Sequence, residues 1–122
     1  MTSTTTHDVL PRLEQMRLVD VRTAGEHEAS HIPGAWHLPL DVLRGRADEI
    51  APVLGDDVVL VCRSGARAEQ ARAALAAAGH QGAEVLSGGM TAWEQAGAPV
   101  RRGREVWDME RQVRFTAGPI VL

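Results

Sequence analysis

The chain reads as an α/β domain, a central parallel sheet of about five strands with helices on both faces. Three observations lead there. Short apolar runs, Val58-Val59-Leu60-Val61 the clearest of them, alternate with stretches of helical periodicity. The longest helical stretch, with Ala68, Ala71, Leu75 and Ala78 on one face, follows that run almost at once. Glycine or proline then closes most segments, as at Pro33-Gly34, Gly79 and the Gly97 to Pro99 stretch.

In chain order, Thr6 is expected to cap a first helix over His7 to Gln15, with Pro11 marking its first turn or a kink. Arg17 to Val21 forms a short strand. A brief helix from Ala24 to Ser30 is stopped by His31-Ile32-Pro33-Gly34, because a residue before proline is pushed out of the α region. Ala35 to Leu38 makes another strand, Asp41 caps a helix, and Arg44 to Val53 carries a second helical stretch broken near Pro52. The strand ending at Val61 leads into the alanine-rich helix that Gly79 stops. A short strand over Ala83 to Leu86 precedes a helix that Gly88-Gly89 opens and that runs through Gln95. Residues 1–100 make one domain and 101–122 a tail. There Val106, Met109, Val113 and Ala117 fall on one side of an amphipathic helix, after the cluster of Arg101, Arg102 and Arg104.

The bulk properties narrow the function. With 122 residues, 44% of them hydrophobic, the chain can bury a real core without disulfides or metals. There is no tyrosine and little other aromatic material, so Val, Leu and Ala must fill that core. A formal net charge of -3 argues against a general nucleic-acid binder. All 13 basic residues are arginine, whose fork suits oxyanions and keeps its charge near neutrality. The lone cysteine permits no intramolecular disulfide and no dithiol motif. The polar, threonine-rich opening has no leader character, and no apolar stretch is long enough to cross a bilayer. A reducing cytoplasm is the expected setting.

That cysteine carries the chemistry. Cys62 ends the apolar run and opens Cys62-Arg63-Ser64-Gly65-Ala66-Arg67, which leads directly into the alanine-rich helix. The carboxyl end of a strand ahead of a helix amino-terminus is where open α/β sheets bind ligands. A cysteine closing an apolar strand is usually inert packing, but Arg63, Ser64, Gly65 and Arg67 are poor choices for a sealed core. Gly65 allows successive N–H groups to converge into an anion nest, and the helix adds its positive end. Such surroundings favour a thiolate nucleophile at Cys62.

Leu18-Val19-Asp20-Val21-Arg22, Glu26 and His31-Ile32-Pro33-Gly34-Ala35 resemble the opening of a rhodanese domain. Val59-Leu60-Val61 leading into Cys62 to Arg67 resembles its catalytic loop, and Leu86-Ser87-Gly88-Gly89-Met90-Thr91-Ala92-Trp93 its closing signature. The blocks stand in the family's order across Arg17 to Pro99. The resemblance implies a rhodanese-like fold and sulfur transfer with no cofactor. Cys62 would take the sulfane sulfur of an anionic donor, thiosulfate or a small persulfide, and pass it to cyanide or an acceptor thiol. Arg63, Ser64, Gly65, Ala66 and Arg67 would hold the donor, Arg67 also bracing the loop. With no second cysteine, an external nucleophile must collect the sulfur.

Related phosphatases also ring a cysteine and an arginine, but four residues separate Cys62 from Arg67 here, one fewer than the phosphatase pattern holds. The smaller cradle suits a persulfide. A module that senses redox state or sulfide through a single modification of Cys62 is the alternative from another class. His27-Glu28-Ala29-Ser30-His31 matches the zincin pattern, yet Pro33-Gly34 ends the helix and no third ligand follows at a recognisable spacing, so no metal is expected. Asp20 could orient a pocket arginine and Arg22 could pair with Glu26, both in structural roles; His7, His37 and His80 read as surface or strand-edge residues, and Trp36 and Trp93 as core or pocket wall. Finally, Met109 to Gly118 resembles the segment joining some bacterial rhodanese domains to a membrane hairpin. The tail is therefore expected to pack near the inner face of the membrane or to pair two subunits.

Overall fold

A computed structural model of the chain describes residues 3–103. Its sheet has five strands, β1 (Ser3–Thr4), β2 (Arg17–Asp20), β3 (Trp36–His37), β4 (Val58–Val61) and β5 (Glu84–Leu86). They lie in the order β1-β5-β4-β2-β3, with every neighbouring pair parallel. Parallel neighbours need crossovers, and the helices supply them: α1 (Thr6–Val9) with a following 3-10 stretch (Leu10–Gln15), α2 (Ala24–Ala29), α3 (Leu40–Gly45), α4 (Ala47–Leu54) and α5 (Ala66–Ala77). A last helix, α6 (Gly89–Gln95), follows β5.

The run Val58 to Val61 is apolar throughout because both faces of β4 are covered. Val58, Leu60 and Cys62 pack on one side with Leu43, Ile50, Ala68, Ala71 and Leu75. Val59 and Val61 pack on the other with Val9, Ile32, Met90 and Trp93. From β2 the chain proceeds outward to β3, and from β4 it proceeds the opposite way to β5. The carboxyl ends of β2 and β4 therefore meet at a topological switch point, the crevice where open α/β sheets hold ligands.

Local departures from expectation have simple causes. The first helix is capped by Thr5, whose hydroxyl accepts from the Asp8 N–H at 3.1 Å, rather than by Thr6. Pro39, not Asp41, occupies the cap position of α3, and Asp41 lies in its first turn. The helical break comes at Arg46, with φ -132 and ψ 29, and Pro52 lies inside α4. Proline costs that helix the bond to the Asp48 carbonyl, but both residues are exposed and water can replace it. The two-residue strand β1 was not anticipated; it pairs with β5 at the sheet edge.

Residues 101–103 lie against the domain: Arg101 and His31 exchange backbone hydrogen bonds of 2.7 and 2.8 Å. The expected tail helix over Val106 to Ala117 lies outside the described residues. Among the described residues no helix is long and apolar enough to cross a membrane.

Candidate active site

Cys62 follows β4 directly and stands at the head of the loop into α5. Its side chain continues the Val58 and Leu60 face and is 1% exposed, whereas Arg63, Ser64 and Ala66 are exposed and Gly65 and Arg67 half-buried. Gly65 takes φ 126, a left-handed conformation that a side chain would resist. That turn aims the Gly65 N–H at Sγ, donating at 3.0 Å, and the Ala68 N–H of α5 donates to the same sulfur at 3.4 Å. The sulfur is thus held by main-chain donors from both the turn and the helix start.

The loop is anchored from behind by Gly88-Gly89, read from sequence only as a tight turn into a helix. The Met90 N–H donates to the Cys62 carbonyl at 2.8 Å, and the Thr91 N–H to the Arg63 carbonyl at 3.1 Å. Gly89 (φ +52) allows this approach, since a Cβ there would collide with the Cys62 carbonyl oxygen and stand 2.6 Å from that of Arg63. The turn is therefore part of the site's framework. Two adjacent glycines after a strand were the available signal, but nothing in their spacing named the partner.

Arg67 is clamped rather than free. Its guanidinium donates to Glu26 Oε1 at 2.7 Å and Oε2 at 2.9 Å, tying the first turn of α5 to α2. Glu26 is itself fixed in a capping box with Thr23. The Arg67 hydrogen bond, partly opposed by burial and helped by Thr23, lowers the Glu26 carboxyl from 4.5 to about 2. Arg67 is raised in turn, chiefly by its bond to Glu26, with smaller pulls from the charges of Cys62 and Asp20.

Arg22 does not pair with Glu26. Its guanidinium meets the Asp20 carboxylate at 2.9 and 2.6 Å and donates to the Ser30 carbonyl at 2.6 Å, all buried. His27 Nδ1 contacts the same carboxylate at 3.0 Å. Burial pushes Asp20 up, but its bonds to His27 and Arg22 and the Arg22 charge prevail, taking it from 3.8 to about 2. The rings of His27 and His31 stack at 4.0 Å, and those of His27 and His37 at 4.5 Å. The two zincin-pattern histidines thus lie face to face, so their in-plane nitrogen lone pairs cannot converge on one ion. His37 is on the edge strand, as expected, yet 4% exposed. Trp93 is fully buried, and Trp36 lies under the Arg17 guanidinium at 3.9 Å.

Beside the loop opens a cleft of about 410 Å³ lined by Arg22, Ser30, Arg63, Thr91, Glu94 and Arg102, among others. Arg63 lines it and Cys62 does not.

A family profile for the rhodanese-like domain matches residues 5–96. The chain belongs to the rhodanese-like family. A sulfurtransferase of Allochromatium vinosum is 41% identical over 87 residues, covering 71% of this chain and 79% of that protein. An uncharacterized protein of Synechocystis sp. is 38% identical over 117 residues, 90% of this chain. The chain spans only 64% of that relative's length. The crystal structure of the Alr3790 protein from Anabaena sp. superposes with a TM-score of 0.73 at 25% identity, covering 91% of this chain and 89% of that one. The rhodanese sequence blocks, scattered along the chain, come together here. The first supplies Asp20, Arg22 and Glu26, the second the Cys62 loop, and the third the Gly89 turn beneath it.

Proposed function

We propose that the chain is a sulfurtransferase working through a Cys62 persulfide. The observation that carries this reading is the pair of N–H donors on Sγ, from Gly65 and Ala68. Main-chain N–H groups that converge at the start of a helix form a concavity suited to anionic groups, such as the donor and the transferred sulfur. The thiolate attacks the outer sulfur of thiosulfate or of a small persulfide; the sulfur–sulfur bond of the donor breaks and sulfite or a thiolate leaves. The terminal sulfur of the persulfide is anionic and fits the same nest. An external nucleophile then removes it and returns Cys62 as thiolate. Arg63, exposed on the loop, attracts the anionic donor, while Arg67 keeps the loop in shape through Glu26. Ser64 and Ala66 complete the exposed rim, where small side chains leave room for the donor. The sulfurtransferase from Allochromatium vinosum supports the reaction class.

Intact-mass measurement tests this directly. After thiosulfate the chain should gain one sulfur at Cys62, and a thiol or cyanide should remove it. An unchanged mass with both thiosulfate and a small persulfide would overturn the proposal.

A further inference from the structure

We infer that Arg102 completes an acceptor subsite in the cleft beside the Cys62 loop, built for a small organic thiol that carries carboxylates. Its chemistry rests on the Cys62 persulfide; its binding does not. The matched family region stops at residue 96. Beyond it, Arg101 and His31 form an antiparallel bridge, and the Gly103 N–H donates to the Glu28 carbonyl at 2.6 Å. These bonds seat Arg102 between them at the end of α2, where its guanidinium donates to the Ala29 carbonyl at 3.2 Å and lines the cleft.

Arg22 is taken up by Asp20, and Glu26 by Arg67. Among the described residues Arg63 and Arg102 have no carboxylate partner, and the Glu94 carboxylate accepts only from the Ser30 hydroxyl, at 2.8 Å. Two arginines and one glutamate outside any ion pair thus line a space of about 410 Å³. That size falls within the roughly 300–1,000 Å³ typical of organic-ligand sites, more than an inorganic anion of a few atoms fills. Guanidinium forks take carboxylates in bidentate fashion, and Glu94 suits an ammonium group. A cysteinyl peptide with two carboxylates and a free amine matches this pattern. Its thiolate attacks the terminal sulfur of the Cys62 persulfide; the bond from Sγ breaks, Cys62 leaves as thiolate, and the peptide departs as a persulfide. No outside oxidant or reductant is consumed.

The test uses the full chain with two probes. In calorimetric titration S-methylglutathione, which cannot react, should bind wild type about tenfold more tightly than Arg102→Ala, the loss expected for one charge-assisted hydrogen bond. Arg102→Lys should fall between them. In turnover, the preference for glutathione over 2-mercaptoethanol should drop by a similar factor in Arg102→Ala. Equal affinity and equal preference in wild type and Arg102→Ala would overturn the subsite, even with Cys62 loading sulfur normally. Failure of Cys62 to load sulfur would instead sink the reaction, and the titration would still decide the binding.

Discussion

Gly89 and Cys62 touch through their main chains: a single added carbon on Gly89 would strike the Cys62 carbonyl oxygen. The contact links two sequence blocks more than twenty residues apart and explains how the loop holds its shape. With the Cys62 and Arg63 carbonyls accepting from the Met90 and Thr91 N–H groups behind the loop, the Gly65 N–H faces the sulfur.

Gly89→Ala should therefore disturb the loop before it disturbs the sheet. The strained φ and the collision together should cost about 1–3 kcal/mol, as overpacking against backbone generally does. Urea unfolding would read that cost, and sulfur loading of the folded variant should fall steeply. Wild-type loading in a stable Gly89→Ala chain would show that the close contact is dispensable.

Cys62→Ala should abolish sulfur loading yet leave the fold nearly intact. The side chain is buried among Leu60, Ala68 and Ala71, so deleting one sulfur atom leaves a small void costing about 1 kcal/mol. Intact mass after thiosulfate, with a thermal melt of the same sample, checks both halves. Loading that persists in Cys62→Ala would place the reactive atom elsewhere.

Much of this arrangement was readable along the chain. The run Val58 to Val61 and the spacing of Ala68, Ala71 and Leu75 are local signals, and both elements formed where their periodicity placed them. The contacts that complete the site are not local. Arg67 finds Glu26 forty-one positions away, a pairing set by the switch-point topology and not by any helix spacing. Arg22 prefers Asp20 because both are buried at the end of β2, where an unpaired guanidinium would be costly, while Glu26 faces α5. The buried stack of His27, His31 and His37 is equally non-local: His37 sits on β3, whereas His27 and His31 lie in and just after α2.

Asp20 offers the clearest stability prediction. Asp20→Asn leaves the Arg22 guanidinium, 5% exposed, without its counter-charge, and breaking such a pair typically costs about 3–5 kcal/mol. Its folded pKa is depressed, so its contribution is fully present above pH 3.8 and drains away as pH falls towards about 2. Denaturant midpoints for wild type and variant should differ widely near neutrality and converge in strong acid. A variant as stable as wild type near neutrality would contradict the pairing.

The Glu26–Arg67 clamp should show its own acid dependence, milder because it is wetter. The Glu26 carboxyl is lowered from 4.5 to about 2, so its stabilisation holds above pH 4.5 and is lost as pH falls through that interval. With the carboxylate side chain 25% exposed, solvent screening leaves on the order of 1–2 kcal/mol for Glu26→Gln to remove. Both proteins carry Asp20, so subtracting one pH–stability curve from the other isolates the clamp. The difference should be flat above pH 4.5 and shrink below it. Sulfur transfer should weaken in Glu26→Gln at neutral pH, because Arg67 would no longer hold α5 against α2. A stability difference that stays constant down to pH about 2 would mean that the carboxylate charge contributes nothing to the clamp.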